Sequence, residues 1–283
     1  MPLAPAARPG AVHLTVTDLD RSIGFYEDAL GLALQRREDS SAAMGAGGVD
    51  LVVLAQDPRA RPAGRHAGLY HFALLHPSRE ELASALQRLA ITRTPIQGAS
   101  DHGVSEAIYL PDPDLNGIEL YADRPRGRWP APGAGARVGM FTKPLDLQGL
   151  VSVAPEPEPP ARADPGLTMG HVHLHVGDMA RALEFYRDVI GFESMAELPG
   201  AAFVSAGGYH HHLGLNTWRG EGVPPAPPDA VGLRHWTLVL DGDEELERVR
   251  GRLKDAAVPS EERPEGLLAR DPSGTAVLLT AAP

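Results

Sequence analysis

The chain has 283 residues, a formal net charge of −11 at neutral pH and no cysteine. That acidic balance excludes a broad basic face for nucleic acid, and the lack of thiols excludes disulfides, thiolate nucleophiles and cysteine-held metal centres, so any metal must sit on His and carboxylates. The length fits two domains, each able to bury its own core. No stretch approaches the roughly 18 apolar residues of a membrane span, and the opening MPLAPAARPGAV has no signal-peptide pattern, so the expected setting is the cytoplasm, without a membrane or nucleic-acid partner.

In chain order, AVHLTVTDLDRSIGFYEDALGL (11–32) begins with an alternating strand pattern. Asp18 is placed to cap a helix on which Leu19, Ile23, Tyr26 and Leu30 share one face. Short strand-like pieces follow. The same order then returns: LYHFALL as strand, SREELASALQRLA as helix, SEAIYL and NGIELYA as strands. The Pro-rich stretches RGRWPAPGAG and PEPEPPARADPG flank FTKPLDLQGL and mark residues 126–166 as linker. Beyond it, HVHLHVGDMARALEFYRDVIGF (171–192) aligns without a gap to 11–32, sharing VHL, Asp, Arg, FY and the final Gly, so the chain contains a duplication. Domains are expected at 8–125 and 167–283, each made of two strand–helix–strands units, an α+β arrangement. The third unit covers 167–217, and the fourth runs from LRHWTLVL through EELERVRGRL to LLARDPSGTAVLLT.

The third unit ends in GGYHHHLGLN (207–216), which reads as a strand carrying three consecutive imidazoles. On a strand, His211 would face away from His210 and His212, so the three cannot act together. Asp112 and Asp271, each before Pro, read as turn residues.

This organisation resembles the vicinal oxygen chelate superfamily, whose βαβββ modules pair into a curled mixed sheet around a metal. GLYHFALL, SDHGVSEAIYLPDPDLNGIELYADRP, MGHVHLHV and SAGGYHHHLGLNTW are similar to segments of two-domain catechol 2,3-dioxygenases. The resemblance spans nearly the whole chain outside the linker and tails. It implies four βαβββ modules in two tandem vicinal oxygen chelate domains, with a metal held by a first-strand His from each of two paired modules and a last-strand Glu from one.

In register, the first-strand positions read Ala11, His71, His171 and His235. The last-strand positions, aligned on the two DP turns, read Glu119 and Leu278. Neither domain alone carries a full set in this register. Crossed pairing of the second and third modules would bring His71, Glu119 and His171 together as two His and one carboxylate, a set suited to non-haem iron. A slipped register would instead close an intradomain site from His13, His71 and Glu119. The resemblance further implies His211 as acid/base and Tyr109, ten residues before Glu119, as a substrate contact. His102 is a further active-site candidate, His210 and His212 are supporting residues, and His235 is a relic or a core residue.

The activity so implied is extradiol cleavage of catechol or a substituted catechol with O2 and Fe(II), with Mn(II) as the other acceptable ion and a homo-oligomer as a compatible assembly. A non-redox glyoxalase-like isomerase and a metal-free drug-sequestering protein use the same scaffold.

Overall fold

The computed structural model describes residues 1–62 and 64–282; Pro283, the end of the second expected domain, lies outside the described residues. The first module comprises β1 (Arg8–Val16), α1 (Leu19–Asp28), β2 (Ala33–Arg37), β3 (Ser41–Ala46) and β4 (Val49–Gln56). The second comprises β5 (Gly68–His76), α2 (Arg79–Ile91), β6 (Gly98–Asp101), β7 (Ser105–Pro111) and β8 (Gly117–Asp123). After a 3₁₀ turn (Arg126–Arg128), β9 (Lys143–Pro144) and α3 (Leu147–Val151), the third runs through β10 (Thr168–His175), α4 (Met179–Leu183), a π turn (Glu184–Ile190), β11 (Glu193–Leu198), β12 (Ala201–Ser205) and β13 (Leu213–Asn216). The fourth comprises β14 (Gly232–Leu240), α5 (Asp243–Asp255), β15 (Ser260–Arg263), β16 (Gly266–Arg270) and β17 (Ala276–Ala281).

The first turns form where the sequence supplies caps. Asp18 and Asp178 each accept from the backbone N–H three residues on, and Ser78 does the same for α2, each bond contributing about 1 kcal/mol. Leu19, Ile23 and Tyr26 turn one face of α1 into the core, as their spacing predicts. In the third module the helix closes through the π turn at Gly191, whose φ of 106° lies in the region that favours glycine.

The modules pair across the duplication. One eight-stranded sheet has the order β15-β16-β17-β14-β1-β4-β3-β2, and a nine-stranded sheet has the order β11-β12-β13-β10-β5-β8-β7-β6-β9. The first module therefore shares a sheet with the fourth, and the second with the third. The joins are antiparallel: His13 stands opposite His235 on β1 and β14, and His173 opposite His71 on β10 and β5. A continuous apolar core that includes Tyr26, Phe72, Tyr186 and Trp236 fills the space between sheets and helices.

Two expectations are corrected. Residues 126–166 are more than a linker: β9 adds to the edge of the second sheet through Ser100 and Asp101, and Gly103, with a φ of 77°, packs where a side chain would strike Phe141 and Pro130. The triple-His run is also not strand. Gly207 and Gly208, at φ of 60° and 67°, turn the chain before it, and β13 starts only at Leu213. Freed from strand alternation, the neighbouring side chains of His210 and His211 meet.

Candidate active site

The centre of the nine-stranded sheet carries the donors. Ala73 on β5 stands opposite Glu119 on one side and His171 on the other, and His71 lies two residues back on the same face. The small methyl of Ala73 leaves room for three larger side chains to converge above it. Their donor atoms all lie within 4.8 Å of one another. His171 Nε2–H donates to Glu119 Oε2 at 3.1 Å, and His71 Nε2 stands 3.0 Å from the same oxygen but makes no hydrogen bond. All three residues are buried, at 6%, 3% and 1% exposure for His71, Glu119 and His171.

Burial alone would push the Glu119 carboxyl up, yet the two imidazoles overcome it and hold Glu119 well below the ordinary carboxylate range. Burial also lowers His171, which favours the neutral, lone-pair form. A charged carboxylate beside two imidazoles, each with an unpartnered buried nitrogen, is a donor set ready for a divalent cation.

On one side of this cluster, Tyr109 lies directly opposite Glu119 in the β7–β8 hairpin, so the ten-residue spacing between them is the length of that hairpin. Its hydroxyl lies 2.7 Å from His102 Nε2, and His102 Nδ1 lies 3.1 Å from the Phe141 carbonyl oxygen. A carbonyl only accepts, so His102 carries its proton on Nδ1 and Tyr109 donates to Nε2. Burial, and then the charge of Glu119, raise the Tyr109 pKa, keeping the phenol protonated.

On the other side stands His211, its ring centroid 4.1 Å from that of His171. His210 Nε2 lies 2.9 Å from Asp123 Oδ1, and the Nδ1 atoms of His210 and His211 are 2.8 Å apart. Asp123 accepts Nε2–H of His210, whose Nδ1 in turn accepts from His211. His211 therefore donates Nδ1–H and keeps a lone pair on Nε2. Burial and the neighbouring His171 and His210 hold the His211 pKa well below its usual value. His212 faces elsewhere: its Nδ1 accepts from the Ala206 N–H at 3.2 Å and lies 3.0 Å from Ser205 Oγ, a structural role.

These groups open on a cavity of about 540 Å³ that His71, Glu119, His102, Tyr109 and His211 all line. Its walls include residues that periodicity did not mark: Tyr70, His173, Leu198, Phe203 and Trp218, together with Met140, Phe141 and Thr142 from the supposed linker. Trp218 comes from the TWRGEGV loop, where a Pro- and Gly-rich stretch after a strand is itself a signal for a binding loop. The linker residues gave no such signal.

The intradomain alternative does not form. His13 lies in the other sheet, stacked on His235 with ring centroids 3.9 Å apart, and both line a separate cavity. There the register places Ala11, His235, Leu278 and Leu268 where the second sheet has His171, His71, Glu119 and Tyr109. Among the described residues, only the second sheet carries the complete donor set.

The family model for the Glyoxalase/Bleomycin resistance protein/Dioxygenase superfamily matches residues 8–120 and 168–277. A catechol-2,3-dioxygenase of Bacillus subtilis (strain 168) is 43% identical over 268 residues, covering 93% of either chain. The crystal structure of glyoxalase I from Zea mays is similar with a TM-score of 0.60 at 18% identity, covering 98% of this chain and 92% of that one. That of the cppA protein from Streptococcus pneumoniae reaches 0.59 at 13% identity, covering 99% of each. At such identities the two structures speak for the fold alone. By its two family matches and its 43% identical relative, the chain belongs to the glyoxalase/bleomycin resistance protein/dioxygenase superfamily and carries two domains of that type.

Proposed function

We propose that the protein is an extradiol ring-cleaving dioxygenase acting on catechol or a substituted catechol with O2, and that His71, Glu119 and His171 hold its divalent metal, Fe(II) or alternatively Mn(II). The observation that carries this reading is the buried cluster of one carboxylate and two imidazoles on the floor of a cavity that Tyr109 and His211 also face. Similarity to the B. subtilis catechol-2,3-dioxygenase supports the same chemistry. A cytoplasmic setting belongs to the same proposal; no helix among the described residues is long and apolar enough to cross a membrane.

A bound divalent metal would ease ionisation of the diol and give substrate and dioxygen one shared site. The remaining work falls to side chains. Tyr109 has already committed its proton to His102 Nε2, so its oxygen is free to accept from one diol hydroxyl, and His102 is the next station for that proton. His211 offers the Nε2 lone pair to the second proton and returns it when an oxygen of the opening ring needs it. The imidazolium formed on the way is backed through His210 by Asp123. Phe203, Trp218 and Phe141 wall the cavity with aromatic surface and keep bulk water from these transfers.

The test is oxygen uptake by protein loaded anaerobically with Fe(II), then given catechol and substituted catechols, with visible absorbance read in parallel. One O2 consumed per yellow ring-opened product is the expected result. Metal retained but no uptake across the panel would overturn the dioxygenase reading, and metal-dependent conversion of a substrate without oxygen would replace it with an isomerase.

A further inference from the structure

The eight-stranded sheet repeats the cup of the active site without its chemistry. His235, Ala11, Leu278 and Leu268 occupy the places of His71, His171, Glu119 and Tyr109, so no carboxylate faces the imidazoles at the equivalent of Glu119. Protein interiors pack to near-crystalline density, and an unused cup is readily closed by larger side chains. This one stays open at about 490 Å³, close to the size of its counterpart.

Its lining is chemically specific. The His13 and His235 rings lie face to face, 23° from parallel. Burial, assisted by Arg234, holds their pKa values down to about 4 and about 3, so both rings are neutral at physiological pH. His235 Nε2 is enclosed and has no hydrogen-bond partner, a state that native interiors rarely leave unanswered. Leu268 and Leu278 supply apolar surface, and Thr237 and Thr280 supply hydroxyls. Among the charged groups around it, Arg36 is paired with Asp50 at 3.3 Å and Arg263 with Glu261 at 2.9 Å. Arg270 donates to a backbone carbonyl. Arg234, on the cavity wall, has no ion-pair partner among the described residues, and Glu265 stands on the same wall as a single negative charge.

We propose that this second cup is a binding site for a small planar aromatic molecule bearing one carboxylate, with the ring against the stacked imidazoles and the two leucines and the carboxylate on Arg234. An aromatic ring matches the flat imidazole surface. A guanidinium without a partner selects one carboxylate, and Glu265 repels a second. The site is independent of the metal cluster, which lies in the other sheet.

The test is a titration of the full-length protein with benzoate, followed through the methyl resonances of Leu268 and Leu278. Saturable shifts at those methyls are expected, weakened at least about tenfold by Arg234→Ala and unchanged by Glu119→Gln. Terephthalate should bind more weakly than benzoate. Arg234 is exposed, so its variant keeps the fold, which the unperturbed core resonances will verify. Absence of saturable shifts at Leu268 and Leu278, or equal affinity in the Arg234→Ala variant, would overturn the proposal.

Discussion

The Tyr26 hydroxyl donates to Asp112 Oδ2 across 3.0 Å, and Tyr186 makes the same bond to Asp271 Oδ2, also at 3.0 Å. Each bond ties a helix of one sheet's module to a turn of the other sheet. Tyr26 belongs to the first module and Asp112 to the second; Tyr186 belongs to the third and Asp271 to the fourth. The repeated FY and DP dipeptides are thus the fasteners that hold two modules of one repeat together although their strands join different sheets. Each aspartate also takes two backbone N–H groups of its own turn, so one carboxylate shapes the turn and anchors the neighbouring helix.

Removing one fastener leaves a buried carboxylate short of a donor. Tyr26→Phe and Tyr186→Phe should each lower unfolding stability by about 1–3 kcal/mol in urea titrations. The double variant should lose the sum to within about 0.5 kcal/mol, since the two bonds share no partner. Single variants as stable as the parent would show that the bonds contribute nothing.

Asp271 gives stability a pH dependence of unusual sign. Burial, working against the N–H and Tyr186 donors, raises its pKa from 3.8 to about 6. A raised carboxyl pKa means that the folded state favours the proton, so this contribution is complete below pH 3.8 and is lost as pH rises through about 6. The full effect is at most ~3 kcal/mol. Asp271→Asn removes the titration, so the stability of the variant relative to the parent should climb between pH 4 and pH 6. A difference that stays flat over that window, in urea titrations at several pH values, would rule this out.

Metal content separates the two cups. Glu119→Ala should empty the proposed metal site and reduce turnover to below about 1% of the parent, because the only carboxylate of the set is gone. Leu278→Glu places a carboxylate at the equivalent position of the other sheet, but Ala11 supplies no second imidazole there. Its metal content should remain that of the parent. Elemental analysis of the purified variants decides both outcomes.

In the proposed mechanism the Asp123–His210–His211 chain makes Asp123 a positioning residue. Asp123→Asn should leave metal content and KM unchanged and lower kcat by about 10- to 100-fold, since the His211 imidazolium loses its backing charge. The acid limb of the kcat profile should move as well, which a merely structural role would not cause. An unchanged kcat would show that His211 works without the relay.

Much of this architecture can be read along the chain. The gap-free match of 11–32 to 171–192 reveals the duplication, and capped helices with alternating strands reveal the modules, because caps and periodicity are local properties of neighbouring residues. Aligning the units also sets Glu119 against Leu278, so the unequal chemistry of the two sheets is written in the residues themselves. What the tertiary structure alone decided is which modules meet. The β5–β10 ladder joins strands about a hundred residues apart through backbone hydrogen bonds, and those bonds are the same whatever the side chains. The residues therefore leave both the crossed and the intradomain pairing open; only the folded sheets separate His13 from His71 and bring in His171. The turn that lets His210 touch His211, and the return of Phe141 over His102, likewise depend on backbone angles and distant packing that no local pattern records.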